Sequence, residues 1–347
     1  MSQQTRLVVV GDVSGTHLAG SFSRAAETME VPVAVQEIKM AESRHRLVNS
    51  LFWHLCDKRP VHVKKLGQAL LDTVAKHQAT LVLTTGLAPI LPGVLQALRE
   101  RGVQTMHYAT DDPWTPVMGA RWYFKALQNY DVVFSPRRST MDQLANLPCR
   151  AVRYLPFGYD HDLFPDEIEP DHNGPAPELL FIGGADDERA GLIRELVALG
   201  VTPTLAGGYW DRYDDLSGFS LGNLSPKAMR SVTRAAKTNL CLVRRANRDG
   251  HVMRSYEIGA LGACALVEDT SEHRAIFGED GDCVRYFTTP NAAAVLVKHL
   301  LSHPDEAKLL GKNIRTRIRK GHNTYRDRLQ EMLTTIYALS PLDGGQR

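Results

Sequence analysis

The chain has 347 residues, which at about 150 residues per domain suggests two domains. A composition of 43% hydrophobic, 23% charged and 7% aromatic residues excludes a disordered chain, a collagen and a small disulfide scaffold. With 41 Lys+Arg against 39 Asp+Glu the formal net charge is +2, so bulk charge does not bind the chain to nucleic acid, although a local basic patch stays open.

The first apolar run, Leu7 to Val10, is too short for a secretory signal. Nothing approaches the roughly 20 apolar residues of a membrane span. The five cysteines, Cys56, Cys149, Cys241, Cys264 and Cys283, are odd in number and form no C-x-x-C pair. That argues against a disulfide framework and for a reducing, cytoplasmic setting.

Along the chain, strand candidates alternate with helical periodicity. Arg6 to Gly11 predicts a buried strand, Gly11 to Gly15 a turn, and His17 to Met29 a helix. Further strands are expected at Thr80 to Thr84, Gln104 to Ala109 and Val132 to Ser135. Helices are expected at Val63 to His77, Leu91 to Arg101, Gly119 to Asn129 and Ser139 to Leu147. Pro156 to Pro177 reads as a linker. The alternation restarts with strands at Glu178 to Gly184, Thr202 to Ala206, Asn239 to Val243 and Cys264 to Glu268. Helices follow at Glu188 to Leu199, Pro226 to Ala236, Met253 to Leu261, Asn291 to Ser302, Pro304 to Lys320 and Tyr325 to Leu339. Two α/β domains with mainly parallel sheets result. We expect residues 1–165 as the N-terminal domain, 175–325 as the C-terminal domain, and 326–347 as a helix and tail returning to the first. Ligands of such sheets bind at the carboxyl ends of the strands.

Gly11, Gly15 and Gly20 do not form G-x-G-x-x-G, and no P-loop motif occurs. Asp111-Asp112-Pro113 ends a strand. Two adjacent acids there suit a base or a hydroxyl-rich substrate, or simply an N-cap and a turn. Gly183-Gly184, with Arg189 near the start of the next helix, lets backbone amides approach a phosphate. The densest cluster runs from Arg244 to Glu257. It holds four arginines (Arg244, Arg245, Arg248, Arg254) and two acids (Asp249, Glu257) in 14 residues. Such cations suit a pyrophosphate, and Glu257 suits sugar hydroxyls. Ser43 to Lys65 is basic with interleaved aromatics. We read it as an amphipathic helix whose Leu47, Leu51, Phe52 and Leu55 pack inward, with an acceptor, membrane-surface or DNA face as alternatives. No histidine spacing suggests a protein-held metal.

Asn247-Arg248-Asp249 followed by Arg254 to Gly262 resembles the donor-site signature of CgeB-type glycosyltransferases, members of the GT-B superfamily. Gly20 to Ser23, His107 to Pro113, Leu155 to Asp160, Phe181 to Gly184 with Arg189, and His322 to Arg326 are similar to the same family, in its order and across most of the chain. The resemblance implies two Rossmann-like domains facing each other across a cleft, with a nucleotide-diphosphate sugar held mainly by the second and no tightly bound cofactor. By position Glu257 matches the acid that holds the donor ribose. Asp249 falls where related GT-B enzymes carry the first of two glutamates eight apart, and Val252 where the family often has a hydroxyl residue.

The expected donor-binding set is Gly183, Gly184, Arg189, Arg244, Asn247, Arg248, Asp249, Arg254 and Glu257. The expected catalytic set is Asp111, Asp112 and His17, with Asp12 as a further candidate base. Tyr209-Trp210 suits stacking on the donor base or plain packing. The expected activity is sugar transfer from a nucleotide sugar, by retention, to an acceptor the sequence does not identify: a saccharide, a protein, a lipid-linked molecule or a modified nucleic acid. A non-catalytic nucleotide-sugar or polysaccharide-binding module, or a transferase acting on modified DNA, are the alternatives. Peripheral membrane contact stays open.

Overall fold

The computed structural model describes residues 5–115, 119–167 and 174–339. The middle of the expected linker, 168–173, and the tail beyond 339 lie outside the described residues.

The chain divides into two compact units. The first takes the chain up to Pro156, the tripeptide Ala246–Arg248 and the last helix; the second takes Phe157–Arg245 and Asp249–Thr324. The segment Phe157 to Pro165, expected in the first domain, belongs to the second. There Tyr159 N–H donates to the Asn323 carbonyl (2.9 Å), and Arg319 donates to the Phe164 and Pro165 carbonyls at 3.0 and 2.8 Å.

In chain order the first unit contains β1 (Leu7–Gly11), α1 (Leu18–Thr28), β2 (Val33–Glu37), α2 (Arg46–Leu55), α3 (Val63–His77), β3 (Leu81–Thr85), α4 (Pro92–Glu100), β4 (Gln104–Tyr108), α5 (Arg121–Leu127), β5 (Val132–Ser135), α6 (Met141–Ala145) and β6 (Ala151–Tyr154). The strands form one parallel sheet in the order β2-β1-β3-β4-β5-β6. The apolar runs of β1 and β3 are buried along their whole length, as covered central strands require. Gly11 closes β1 against α1, because a Cβ there would stand 2.6 Å from the Ala19 methyl and 2.5 Å from Thr85 Oγ1.

One expectation fails here. No residue of α2 is buried, and Leu47, Leu51 and Leu55 are exposed rather than packed inward; only Val48, Asn49 and Phe52 are half-buried. The apolar periodicity is that of an amphipathic helix, but its leucine edge faces out rather than into the core.

The second unit contains β7 (Leu179–Ile182), α7 (Asp187–Ala198), β8 (Pro203–Ala206), α8 (Asp214–Ser217), α9 (Pro226–Ala235), β9 (Thr238–Cys241), α10 (Met253–Leu261), β10 (Ala265–Glu268), α11 (Ser271–Phe277), β11 (Arg285–Phe287), α12 (Pro290–Ser302) and α13 (Pro304–Lys320). Its sheet is also parallel, in the order β11-β10-β9-β7-β8. Side-chain caps set several helix starts: Asp186 on α7, Ser225 on α9, Thr270 on α11 and Thr289 on α12 each accept the N–H three residues on. The last helix, α14 (Tyr325–Leu339), belongs to the first unit, where the Tyr325 ring meets Phe22 of α1 edge-on at 5.3 Å.

The strand order of the second sheet reverses between β7 and β9. A doubly wound sheet opens a ligand crevice at the carboxyl ends of the strands flanking such a reversal. In this unit those ends are Ile182-Gly183-Gly184 and Cys241 to Arg244.

Candidate functional site

The turn after β7 is built by backbone approach. Gly183 N–H donates to the Ala206 carbonyl (2.8 Å), and Ala185 N–H donates to Gly208 (2.9 Å). The Trp210 indole donates to the Gly183 carbonyl (2.9 Å). Gly207, at φ +120°, lies so close to the Gly183 carbonyl that no Cβ fits. The Gly183 amide is therefore occupied, which corrects the expectation that both glycine amides face a phosphate. Among the described residues the Gly184 N–H has no acceptor. Trp210 is buried packing, whereas the Tyr209 ring is exposed with the Arg212 guanidinium over it at 4.2 Å.

Arg189, in the first turn of α7, is largely buried. Its Nη1 donates to the Gly184 carbonyl (3.0 Å) and its Nε–H has no partner. Burial lowers its pKa; Asp186 opposes that, Arg244 adds to it and Asp249 opposes it, so Arg189, Arg244 and Asp249 share one neighbourhood. Among the described residues the half-buried Arg244 side chain has no ion pair or hydrogen bond. A buried, under-paired guanidinium beside a second cation is unfavourable unless an anion completes it.

Across the end of β9, Arg254 and Glu257 lie one turn apart on α10. Arg254 Nη1 is 2.6 Å from Glu257 Oε2, and the Glu257 side chain is only 3% exposed. Despite this ion pair, Glu257 Oε2 and Arg254 Nε both lack hydrogen-bond partners. Burial raises the Glu257 pKa, the Arg254 charge works against it, and the buried Asp160 carboxylate reinforces the rise. Cys241, at the end of β9, is pushed up to about 11 by burial, against a Ser255 hydrogen bond and the charges of Arg254 and Arg189. Arg189 and Arg254 thus flank the same strand end.

The loop before α10 is held from below. Thr270 Oγ1 donates to the Gly250 carbonyl (2.5 Å), and a side chain at Gly250 would run into Glu272. Phe157 N–H donates to His251 Nε2 (3.2 Å), so the ring's proton is on Nδ1, which meets Glu272 at 2.8 Å. Val252 N–H donates to Ser255 Oγ (3.2 Å); valine has no oxygen to return the bond, so the helix start lacks that cap. The roles of Asp160, His251 and Glu272 were missed in the sequence. Asp160 sat in a stretch read as linker, and His251 and Glu272 are 21 residues apart.

Other members of the expected set go elsewhere. Arg245 spans Glu268 (2.6 Å) and Glu188 (3.1 Å) beside a cavity of about 340 Å³ lined by Glu188, Arg189, Leu192, Val243, Glu268 and Thr289. Asn247 and Arg248 lie in the first unit, on Asp112. Asn247 Oδ1 accepts Asp112 N–H (2.7 Å). Arg248 clasps the Asp112 carboxylate through Nε and, at 3.0 Å, through Nη2, and also donates to Gln143 (2.6 Å). Their expected donor contact is therefore replaced by a bond network around Asp112. Asp112 is corrected too: it is 0% exposed and its Oδ1 also takes Trp114 N–H (2.9 Å), so it has no face for a reacting proton.

Asp111 is half-buried and accepts from Thr110 (3.3 Å). His17 is exposed at the start of α1, 3.7 Å from Asp12. Burial works to raise Asp12, but the Ser14 hydroxyl and amide, Lys39 and His17 outweigh it and hold the pKa at about 2, too low for an efficient base near neutrality. Among the described residues no group of three or more His, Cys, Asp or Glu side chains is placed to hold a metal ion.

Residues 189–334 match the family model described as glycosyl transferase-like. That segment is glycosyltransferase-like. No curated protein matches the chain significantly. Among solved structures the chain is similar to a sucrose-phosphate synthase from Thermosynechococcus elongatus, with TM-score 0.68 and 14% identity over 96% of this chain and 100% of that one. It is also similar to a trehalose-6-phosphate synthase studied for glycosyltransfer with retention, with TM-score 0.65 and 13% identity over 97% and 100%. A third is a protein from E. coli described as trehalose-6-phosphate bound with UDP-2-fluoro glucose, with TM-score 0.63 and 12% identity over 96% and 99%. The two parallel-sheet α/β units are Rossmann-like and match GT-B glycosyltransferase structures.

Proposed function

We propose that the protein transfers a sugar from a nucleoside-diphosphate sugar to an acceptor hydroxyl or amine, with the donor held at the carboxyl ends of β7 and β9. The observation that carries this reading is a set of three buried polar atoms without hydrogen-bond partners, Arg189 Nε, Arg254 Nε and the ion-paired Glu257 Oε2, at a topological switch point next to and within the glycosyltransferase-like segment.

Each unsatisfied group fits one part of such a donor. The Gly184 amide, Arg189, Arg244 and Arg254 supply donors and positive charge to a pyrophosphate. As the anomeric C–O bond breaks, its electron pair moves onto the β-phosphate oxygen, and those cations stabilise the growing charge without reorganising. Glu257, if ionised, accepts from ribose hydroxyls and satisfies Oε2; Asp249 lies within electrostatic reach of Arg189. Transfer with retention needs no protein base, since the departing phosphate oxygen takes the acceptor proton. That suits a first unit in which Asp112 is sealed and Asp12 is held at about 2, leaving Asp111 and His17 as the acceptor-side candidates.

The test is incubation with UDP-, GDP- and dTDP-sugars, following release of the nucleoside diphosphate with and without a mixed acceptor pool. Release from one donor class, lost in Arg254→Ala, is expected. Tight binding with no release under any condition would move the reading to a non-catalytic binding module.

A further inference from the structure

Residues 42–61 form an excursion of the first unit between its buried elements, tied back where the Trp122 indole donates to the Asp57 carbonyl (2.9 Å). Its ends are buried Ala41 and Val63, and His62 N–H donates back to the Ala41 carbonyl (2.8 Å). Ser43 and Asn49 bond each other at 2.7 and 2.8 Å and fix where α2 begins. Along α2, Leu47, Leu51 and Leu55 recur every fourth residue and form one edge of the helix, 86%, 55% and 73% exposed. A stripe of three leucines left exposed among the described residues is unlike the scattered exposed apolar residues of an ordinary surface.

Its surroundings select what covers it. Arg44, Arg46, Arg59, Lys64 and Lys65 are exposed around it. The only acid between 43 and 65 is Asp57, whose carboxylate accepts Arg121 N–H (2.8 Å) and so serves the unit itself. A second copy of this face would bring like charges together. Duplex DNA would satisfy the arginines but gain nothing from the leucines, because phosphate contacts are electrostatic. We propose that α2 docks on an anionic lipid surface, with its leucines in the boundary between headgroups and acyl chains and the flanking cations on lipid phosphates. This is peripheral attachment: among the described residues no helix is long and apolar enough to cross a membrane.

The experiment is co-sedimentation of the full chain with phosphatidylcholine vesicles, with and without phosphatidylglycerol, at low and high salt. Binding to the anionic vesicles is expected. It should fall about tenfold or more on pure phosphatidylcholine, at high salt, and in the double variant Leu51→Glu/Leu55→Glu. Both leucines are exposed, so an unchanged thermal midpoint confirms that the variant is folded. No binding to anionic vesicles, or equal binding by the folded variant, overturns the proposal. So does binding to duplex DNA in preference to the vesicles, or a dimer that the variant abolishes while wild type ignores lipid.

Discussion

Arg254 Nη1 and Glu257 Oε2 lie 2.6 Å apart on one turn of α10, both side chains largely out of solvent, yet Glu257 Oε2 and Arg254 Nε make no hydrogen bond. A pair evolved only to neutralise itself would close its hydrogen bonds. Glu257→Gln removes the charge but keeps the shape, and should weaken nucleoside-diphosphate binding about tenfold or more with little loss of fold. Arg254→Ala strands a buried carboxylate, which costs about 3–5 kcal/mol unless Glu257 takes up a proton. Thermal melts beside titration calorimetry separate the two effects.

The Arg248–Asp112 pair behaves differently. Arg248→Ala leaves the buried Asp112 carboxylate with the Trp114 N–H but no cation, so a loss of about 2–4 kcal/mol is expected in the first unit. Donor affinity should stay within about twofold, since Arg248 is already fully engaged. A large fall in affinity at unchanged stability would return Arg248 to the donor site.

Gly207→Ala tests the turn that carries Gly183. The backbone is at φ +120° and the new Cβ would meet the Gly183 carbonyl. Destabilisation of about 2–4 kcal/mol is expected. Weaker donor binding should accompany it as the Gly183-Gly184 turn shifts, measurable by denaturant melts and calorimetry on the same preparations.

Two histidines set an acid limit. Burial lowers His107 to about 3 and His273 to about 4, from 6.5. His273 is fixed neutral: Nδ1–H donates to the Glu268 carbonyl and Nε2 accepts from Ser255 Oγ, each at 2.8 Å. Below pH 6.5 the unfolded chain binds protons that the native histidines refuse. Stability is therefore full above 6.5 and falls as pH drops toward 4 and then 3. Each histidine contributes on the order of 2–3 kcal/mol to that fall by pH 4.5. The denaturation midpoint should decline steeply from pH 6 to 4.5, and less steeply in His107→Gln.

The central strands were legible because both faces are covered, so β1, β3, β5, β7 and β10 read as continuous apolar runs. The three strands not foreseen, β2, β6 and β11, are all sheet edges. β2 is only partly covered: Val33 and Ala34 are half-buried, Val35 is exposed and the strand ends in Gln36 and Glu37, while Pro32 interrupts the apolar run that leads into it. The arginine-rich loop was visible as composition, but composition treats its members alike. The fold sends Arg244 and Arg254 to the strand ends, Arg245 to Glu268 and Glu188, and Arg248 to Asp112. Those destinations depend on partners up to 136 residues away, which no local pattern encodes.

The most direct test is titration calorimetry of the intact protein with UDP, GDP and dTDP, repeated on Arg189→Ala and Glu257→Gln. The account predicts that at least one nucleoside diphosphate binds wild type and that both folded variants lose about tenfold or more in affinity. Failure of all three to bind wild type, or equal affinity in both folded variants, would contradict a donor site at the ends of β7 and β9.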